Sequence, residues 1–297
     1  MIVNYPRMRR RAAWPDDLDT ALEFTSPNPF SISAPKNWDG KLEYTNGNEW
    51  KTWDGSAIAS GEIESNHCIY LRGTGNSKIT GTSADTAKWS IAGTNIACNG
   101  DIDLLLDYAT VKRGERPAMA SYCYSSMFNG CTSLTTAPSL PATTLASYCY
   151  YSMFRGCTSL TTAPSLPATT LASYCYFLMF YGCTSLTTAP SLLATTLADS
   201  CYYSMFNGCT SLTTVPSLPA TTLGRRCYFF MFYGCTKIKL SATASGIYTK
   251  SYRIPKSGTG TTTSSALDSM FANTGGTFTG TPEINTTYYL DESNTIV

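Results

Sequence analysis

A unit of 26 residues recurs almost letter for letter through the middle of the chain. It reads MFNGCTSLTTAPSLPATTLASYCYYS from Met127 and MFRGCTSLTTAPSLPATTLASYCYFL from Met153, then returns at Met179, Met205 and Met231. Self-similarity at so short a period means that each unit is one supersecondary element. Such an element cannot close its own core and buries its apolar face by stacking on its neighbours. The sequence therefore predicts a solenoid, an architecture that offers a long surface for binding.

Inside one unit the apolar positions are Met127, Phe128, Cys131, Leu134, Ala137, Leu140, Leu145 and Cys149. The three-residue steps from Phe128 to Leu140 suit an arc that alternates between core and solvent, bent at Pro138 and Pro141. In the ASYCYYSMF portion Leu145, Cys149 and Met153 stand four apart, which predicts a short helix ended by Gly156. The backward match of ASYCYSSMF at 120–128 starts the repeats near Arg116. They decay after Cys235, and Met270-Phe271 repeats the MF pair out of period.

The flanks are not repetitive. Between Asp16 and Tyr108, ALEFTS, FSISAP, KLEYTNGNEWKTW, HCIYLRG and KWSIAG read as short strands, with Asn46-Gly47 as a turn between two aromatic-bearing arms. The segment CNGDIDLLLDY leads into the repeats as a capping turn. The predicted organisation is a tail or docking peptide over 1–15, an antiparallel β-sandwich over 16–110, the repeat solenoid over 111–240 and a divergent, β-rich cap over 241–297. The fold class is mixed and β-rich.

Composition narrows the function. Of 297 residues, 43% are hydrophobic and only 14% charged, with a formal net charge of +1, so a nucleic acid partner is not expected. The basic run Arg7, Arg9, Arg10 and Arg11 reads as part of the terminal tail. No apolar stretch reaches the length of a membrane span, and the segment after Met1 lacks the apolar core of a secretory signal, so membrane insertion is not expected. Ten of the 12 cysteines obey the repeat in two series, from Cys123 to Cys227 and from Cys131 to Cys235. Stacked equivalents lie about 4.8 Å apart and point the same way, which aims them poorly for bridges. They read as ladders of buried thiols, and their spacing lacks the close pairs of a zinc site.

The repeat pattern MF-x-GC-TSL-T-x-AP-x-LP-ATTL resembles the BspA-type leucine-rich repeats of gut bacterial, phage and mucosal-parasite surface proteins. The match covers about Met119 to Leu240. The closing stretch YRIPKSGTGTTTSSALDSMFANTGGTFTGTP resembles tails that follow such repeats. The resemblance implies a leucine-rich-repeat solenoid, a role in adhesion and surface binding, and no enzymatic activity.

Catalytic constellations are scarce. His67 is the single histidine, Asp101, Asp103 and Asp107 form an acidic turn without the ligand pattern of a calcium loop, and the repeats hold one acid, Asp199. No catalytic residue, metal site or cofactor is predicted. Units that agree in the core vary along a stripe, and this stripe supplies the candidate ligand-binding residues: Asn129, Tyr151, Arg155, Phe177, Tyr181, Tyr203, Asn207, Phe229 and Tyr233. Their mixture of flat apolar area and adaptable hydrogen bonding suits recognition. Stacked Thr residues in TSLTT and PATTL read as packing. The expectation is a non-enzymatic fibre or decoration protein of a phage virion. It would bind a host-surface or mucosal glycan or protein, with the N-terminal region meeting other virion proteins and homo-oligomerisation left open. A bacterial cell-surface adhesin is the first alternative, and a glycan-processing enzyme with its site in the N-terminal domain is the second.

Overall fold

The computed structural model describes residues 14–35, 38, 40–63, 65–80 and 88–297. Apart from Trp14 and Pro15, the expected docking peptide with its basic run lies outside them. The chain is β-rich with mixed sheets and, among the described residues, no closed barrel.

The strands read from the N-terminal sequence are present. They are β1 (Leu22–Ser26), β2 (Ser31–Ser33), β3 (Leu42–Thr45), β4 (Lys51–Trp53), β7 (Asn66–Gly73) and β8 (Ser90–Ala92), and the structure adds β5 (Ile58–Ala59), β6 (Gly61–Ile63) and β9 (Ile96–Asn99), which the sequence reading does not include. After them come the helix α1 (Leu104–Lys112) and β10 (Leu134–Thr136). The larger sheet runs β10-β9-β1-β7-β3-β4, with β6 also on β7, and a smaller one runs β5-β2-β8. Alternation places Leu22 and Phe24 of β1 inward, and these join Ile32 of β2 and Ile58 of β5 in one buried cluster. Asn46-Gly47 does not make a tight two-residue turn. β3 and β4 pair from Leu42↔Trp53 to Tyr44↔Lys51, and the wider loop between them is held where the Thr45 hydroxyl donates to the Gly47 carbonyl at 2.9 Å.

The repeats correct one expectation. No helix occupies ASYCYYSMF; its four-residue period comes from a left-handed residue at every fourth position. Across the junction at Met153 these are Tyr148, Ser152 and Gly156, with φ of 59°, 51° and 70°. Backbone donors alternate accordingly. Tyr151, Met153, Arg155 and Cys157 donate to carbonyls three residues back, whereas Tyr150, Ser152, Phe154 and Gly156 donate to Cys175, Phe177, Met179 and Tyr181 of the next unit, at 2.8–3.0 Å. An α-helix would spend every donor inside one unit. Here half of them tie adjacent units together, and Cβ atoms four apart still share a face. The same left-handed triplet recurs from Tyr122-Ser126-Gly130 to Arg226-Phe230-Gly234.

A second difference lies at the C-terminus. Met270-Phe271, out of period in sequence, is in register in space. Tyr228, Phe230, Phe232 and Gly234 donate to Ala266, Asp268, Met270 and Ala272, and Ser265, Ser269 and Asn273 repeat the left-handed triplet. β11 (Thr214–Val215) lies within the repeats; the chain between Gly234 and Ala266 loops out through β12 (Leu240–Ser241) and β13 (Tyr248–Ile254), and β14 (Thr286–Asp291) and β15 (Thr295–Ile296) follow the last turn. The segment expected as a divergent cap thus adds a turn that pairs with the last repeat. At the other end Ile79 and Trp89 donate to Cys123 and Met127, so the N-terminal region closes the first unit.

Equivalent side chains meet across units. Phe128, Phe154, Phe180, Phe206 and Phe232 stack at 5.5–5.7 Å, and the row ends on Phe271 at 5.3 Å and on Phe24 at 6.2 Å. Beside it, Tyr124, Tyr150, Tyr176, Tyr202 and Tyr228 stack at 5.6–5.8 Å, all buried. All 12 cysteines are buried free thiols. Cys157, Cys183, Cys209 and Cys235 donate Sγ–H to the Phe128, Phe154, Phe180 and Phe206 carbonyls at 2.9–3.2 Å, a use of sulfur that requires the reduced form.

Candidate functional site

The left-handed turns build an aromatic face. Because each unit presents the same backbone, residues at equivalent positions form rows that run across the units. Tyr151, Phe177, Tyr203 and Phe229 form one row, with centroids 5.1, 4.5 and 5.0 Å apart and planes within 14°. Asn129, Arg155, Tyr181, Asn207 and Tyr233, each just before a unit's glycine, form another, in which the Arg155 guanidinium lies 5.2 Å from the Tyr181 ring centre. Of the nine candidate residues Arg155 is exposed and the other eight are half-buried. The partners of the stripe are less uniform. Ser126, Ser152 and Ser204 are buried at left-handed positions, while Leu178 and Phe230 stand half-exposed in the same place.

Sequence reasoning missed a third row. Tyr122, Tyr148 and Tyr174 stack at 4.5 and 4.6 Å on the surface, and the row then changes to Ser200 and Arg226. Its near-invariance made it look like core. The available signal was its breakdown, where SYC becomes DSC and then RRC. Tyr148 touches Tyr151 at 5.9 Å and Tyr174 touches Phe177 at 5.6 Å, so the rows form one continuous face.

Parallel stacking decides what this face can do. A ring covered above and below by neighbours offers its edge and, in tyrosine, its hydroxyl, rather than a flat surface. The charge on the face is also one-sided. From 117 to 235 the chain carries Arg155, Arg225 and Arg226 against Asp199 alone. One oxygen of Asp199 accepts the Arg225 backbone N–H at 2.8 Å.

Around α1 the carboxylates are held by neighbouring groups. Asp103 is buried and accepts the Tyr124 hydroxyl at 2.9 Å; burial pushes its carboxyl up, against the pull of Tyr124 and Arg116. Asp101 accepts the Asp103 N–H and pairs with Arg116, and Asp107 accepts the N–H groups of Gly75 and Thr110. The acidic turn is thereby bonded to its own chain. His67 lies on β7 opposite Ser26 and Glu62. Among the described residues no three His, Cys, Asp or Glu side chains group closely enough to hold a metal ion. A cavity of about 600 Å³ beside α1 contains Glu23, which accepts the Tyr70 hydroxyl at 2.6 Å and the Asn99 amide at 3.0 Å. Among the described residues no helix is long and apolar enough to cross a membrane.

No family model matches this chain, and neither the curated proteins nor the solved structures include a match to it.

Proposed function

We propose that this chain is a non-enzymatic recognition protein in which the stacked units form a BspA-type leucine-rich-repeat solenoid. The N-terminal sheets act as a β-sandwich that anchors it. The preferred setting is a phage virion, where the chain serves as a fibre or decoration protein and binds a host-surface or mucosal glycan or protein. The observation that carries this reading is the contrast between the two sides of each unit. Buried letters are held from unit to unit, while the half-exposed rows through Tyr151, Arg155, Tyr203 and Tyr233 change letter and stay rich in aromatic residues. Aromatic and arginine side chains supply large contact areas at low entropic cost.

The test is binding of the purified chain to a panel of gut bacterial cells, mucin and glycans, beside a variant with Tyr148, Tyr151, Tyr174 and Tyr203 changed to Ser. Circular dichroism checks that both fold. The expected result is a loss of at least about tenfold in affinity for the bound target, equivalent to about 1.4 kcal/mol. Undiminished binding by a folded variant would remove the face from the proposal.

A further inference from the structure

The turn built on the triplet Arg226-Phe230-Gly234 departs from the others at Gly224, Arg225, Arg226, Phe229 and Phe230 while keeping its core. Cys227, Tyr228, Met231, Phe232 and Cys235 are all buried as in earlier units. Gly224 has a packing reason, since a Cβ there would lie 2.7 Å from the Leu197 carbonyl oxygen. Arg226 has none. It stands exposed in the row of Tyr122, Tyr148 and Tyr174, with its guanidinium 5.9 Å from the Phe229 ring centre. Among the described residues no carboxylate pairs with it, Asp268 of the adjoining turn included.

Phe230 is the second departure. Its φ of 54° lies in the left-handed region, where a bulky side chain is strained, and three of the other units place Ser there. Its ring meets Phe229 at 4.3 Å, Tyr233 at 5.2 Å and Tyr203 at 6.5 Å, at interplanar angles of 72–83°. The parallel stacking that covers ring faces elsewhere is broken at this corner, which sets edge-on rings beside an unpaired cation.

We propose that the corner formed by Arg226, Phe229, Phe230 and Tyr233 binds a carboxylate-bearing sugar. This rests on the recognition reading above and names the ligand class for that face. A guanidinium matches a carboxylate with two parallel N–H···O bonds, and aromatic surface beside it accepts the apolar C–H face of a sugar ring. The arginine excess between 117 and 235 complements an anion. The footprint is that of one sugar rather than an acidic peptide, because Arg155, which lies against the Tyr181 ring of the same face, stands three units away along its row.

The wild-type chain is titrated calorimetrically with sialyllactose and lactose, and with oligogalacturonate and its methyl ester, in low and in 0.5 M salt (about a 4 Å screening length). The expected result is a preference of at least about tenfold for one acid over its neutral counterpart, weakened by salt. In the proposal Arg226→Gln abolishes that preference and Arg226→Lys, which keeps the charge without the fork, retains part of it. Equal binding of acid and neutral forms overturns the ligand class, as does a preference that survives in Arg226→Gln. Binding to cells in the panel above, with no sugar bound, also overturns the ligand class while leaving the recognition face standing; no binding to either overturns both. The wild-type comparison of acid with neutral sugar does not depend on how the variants fold.

Discussion

If the units stabilise one another through contact across their boundaries, a perturbation of one ring must be felt by the next ring and not by a distant one. Phe180 and Phe206 provide the test. Both are fully buried, their centroids are 5.7 Å apart and their planes are inclined by only 5°. Substituting either by Leu keeps an apolar side chain in place but removes the ring. That costs about 1–2 kcal/mol per site from lost packing. The stacked pair itself contributes about 0.5–1.5 kcal/mol beyond area burial, and this part is lost once, at the first substitution. The double variant should therefore be more stable than the sum of the singles predicts, by about that amount. Phe128 and Phe232 are the control, since three rings of the same row separate them, and their effects should add within about 0.5 kcal/mol.

The assay is guanidinium chloride unfolding of wild type, singles and doubles by far-ultraviolet circular dichroism and tyrosine fluorescence. Midpoints would be compared at a common slope, because extrapolation to water carries an error of about 10–15%. Coincident transitions by the two probes are required, since long repeat arrays lose two-state behaviour first. Equal coupling in the adjacent and the distant pair would refute nearest-neighbour stabilisation.

Burial pushes the thiols of Cys175, Cys183, Cys227 and Cys235 up to about 12 from an ordinary 9.0. Their stabilising contribution is fully present below pH 9 and is lost as pH rises toward 12. Alkaline unfolding should start in that window, and Ellman's reagent at pH 8 should label the repeat thiols only after denaturation; fast labelling of the native fold would contradict the sealed interior. In the N-terminal region Arg72 is buried between Trp50 and Tyr108, with its guanidinium 3.9 and 4.4 Å from their ring centres, and it pairs with Asp17 and Glu43. Arg72→Ala should cost about 2–3 kcal/mol by thermal melting, less than a fully buried pair because both carboxylates reach solvent. Asp17 is raised by burial, but the hydrogen bonds from Trp50 and Arg72 outweigh that and hold its carboxyl below the ordinary range. Its contribution therefore exists above that range and disappears as pH falls through the lowered value; an acid limb of the melting curve that is unchanged in Arg72→Ala would contradict the pairing.

Period, core letters and N-terminal strands were legible because each is a local pattern with one physical solution. Met127, Phe128, Cys131, Leu134, Leu140, Leu145 and Cys149 are all buried as their spacing demands, and only Ala137 is half-exposed. The four-residue step suggests a helix because periodicity reports which side chains share a face and is silent on how the backbone gets there. Tyr148, Ser152 and Gly156 differ so much in conformational preference that nothing in their letters announces a shared left-handed backbone. Met270-Phe271 stands out of period in sequence for the opposite reason: the excursion through β12 and β13 shifts the count along the chain while leaving spatial register intact. In the candidate face, Tyr122, Tyr148 and Tyr174 escape a search for variation between units, because a surface row can be nearly constant.

That constancy bears on how such a face could discriminate. A repeat multiplies any side chain it places outward, and like rings at the unit spacing cover one another, as the 4.5–5.1 Å rows show. A uniform row is therefore self-satisfied, with ring edges and hydroxyls as its outward chemistry. Specific contact requires positions where the row is interrupted. Arg155 beside Tyr181 is one interruption, and the change from Tyr174 through Ser200 to Arg226, with Phe230 turned across the stack, is another. On the proposed function, the regular units act mainly as a stiff support whose length sets the distance between these two arginine-bearing corners. Deleting one whole unit between them should then leave the affinity of the Arg226 corner for a small sugar unchanged. It should alter binding only to targets that span both corners, and a deletion that weakened small-sugar binding would contradict the division between support and site.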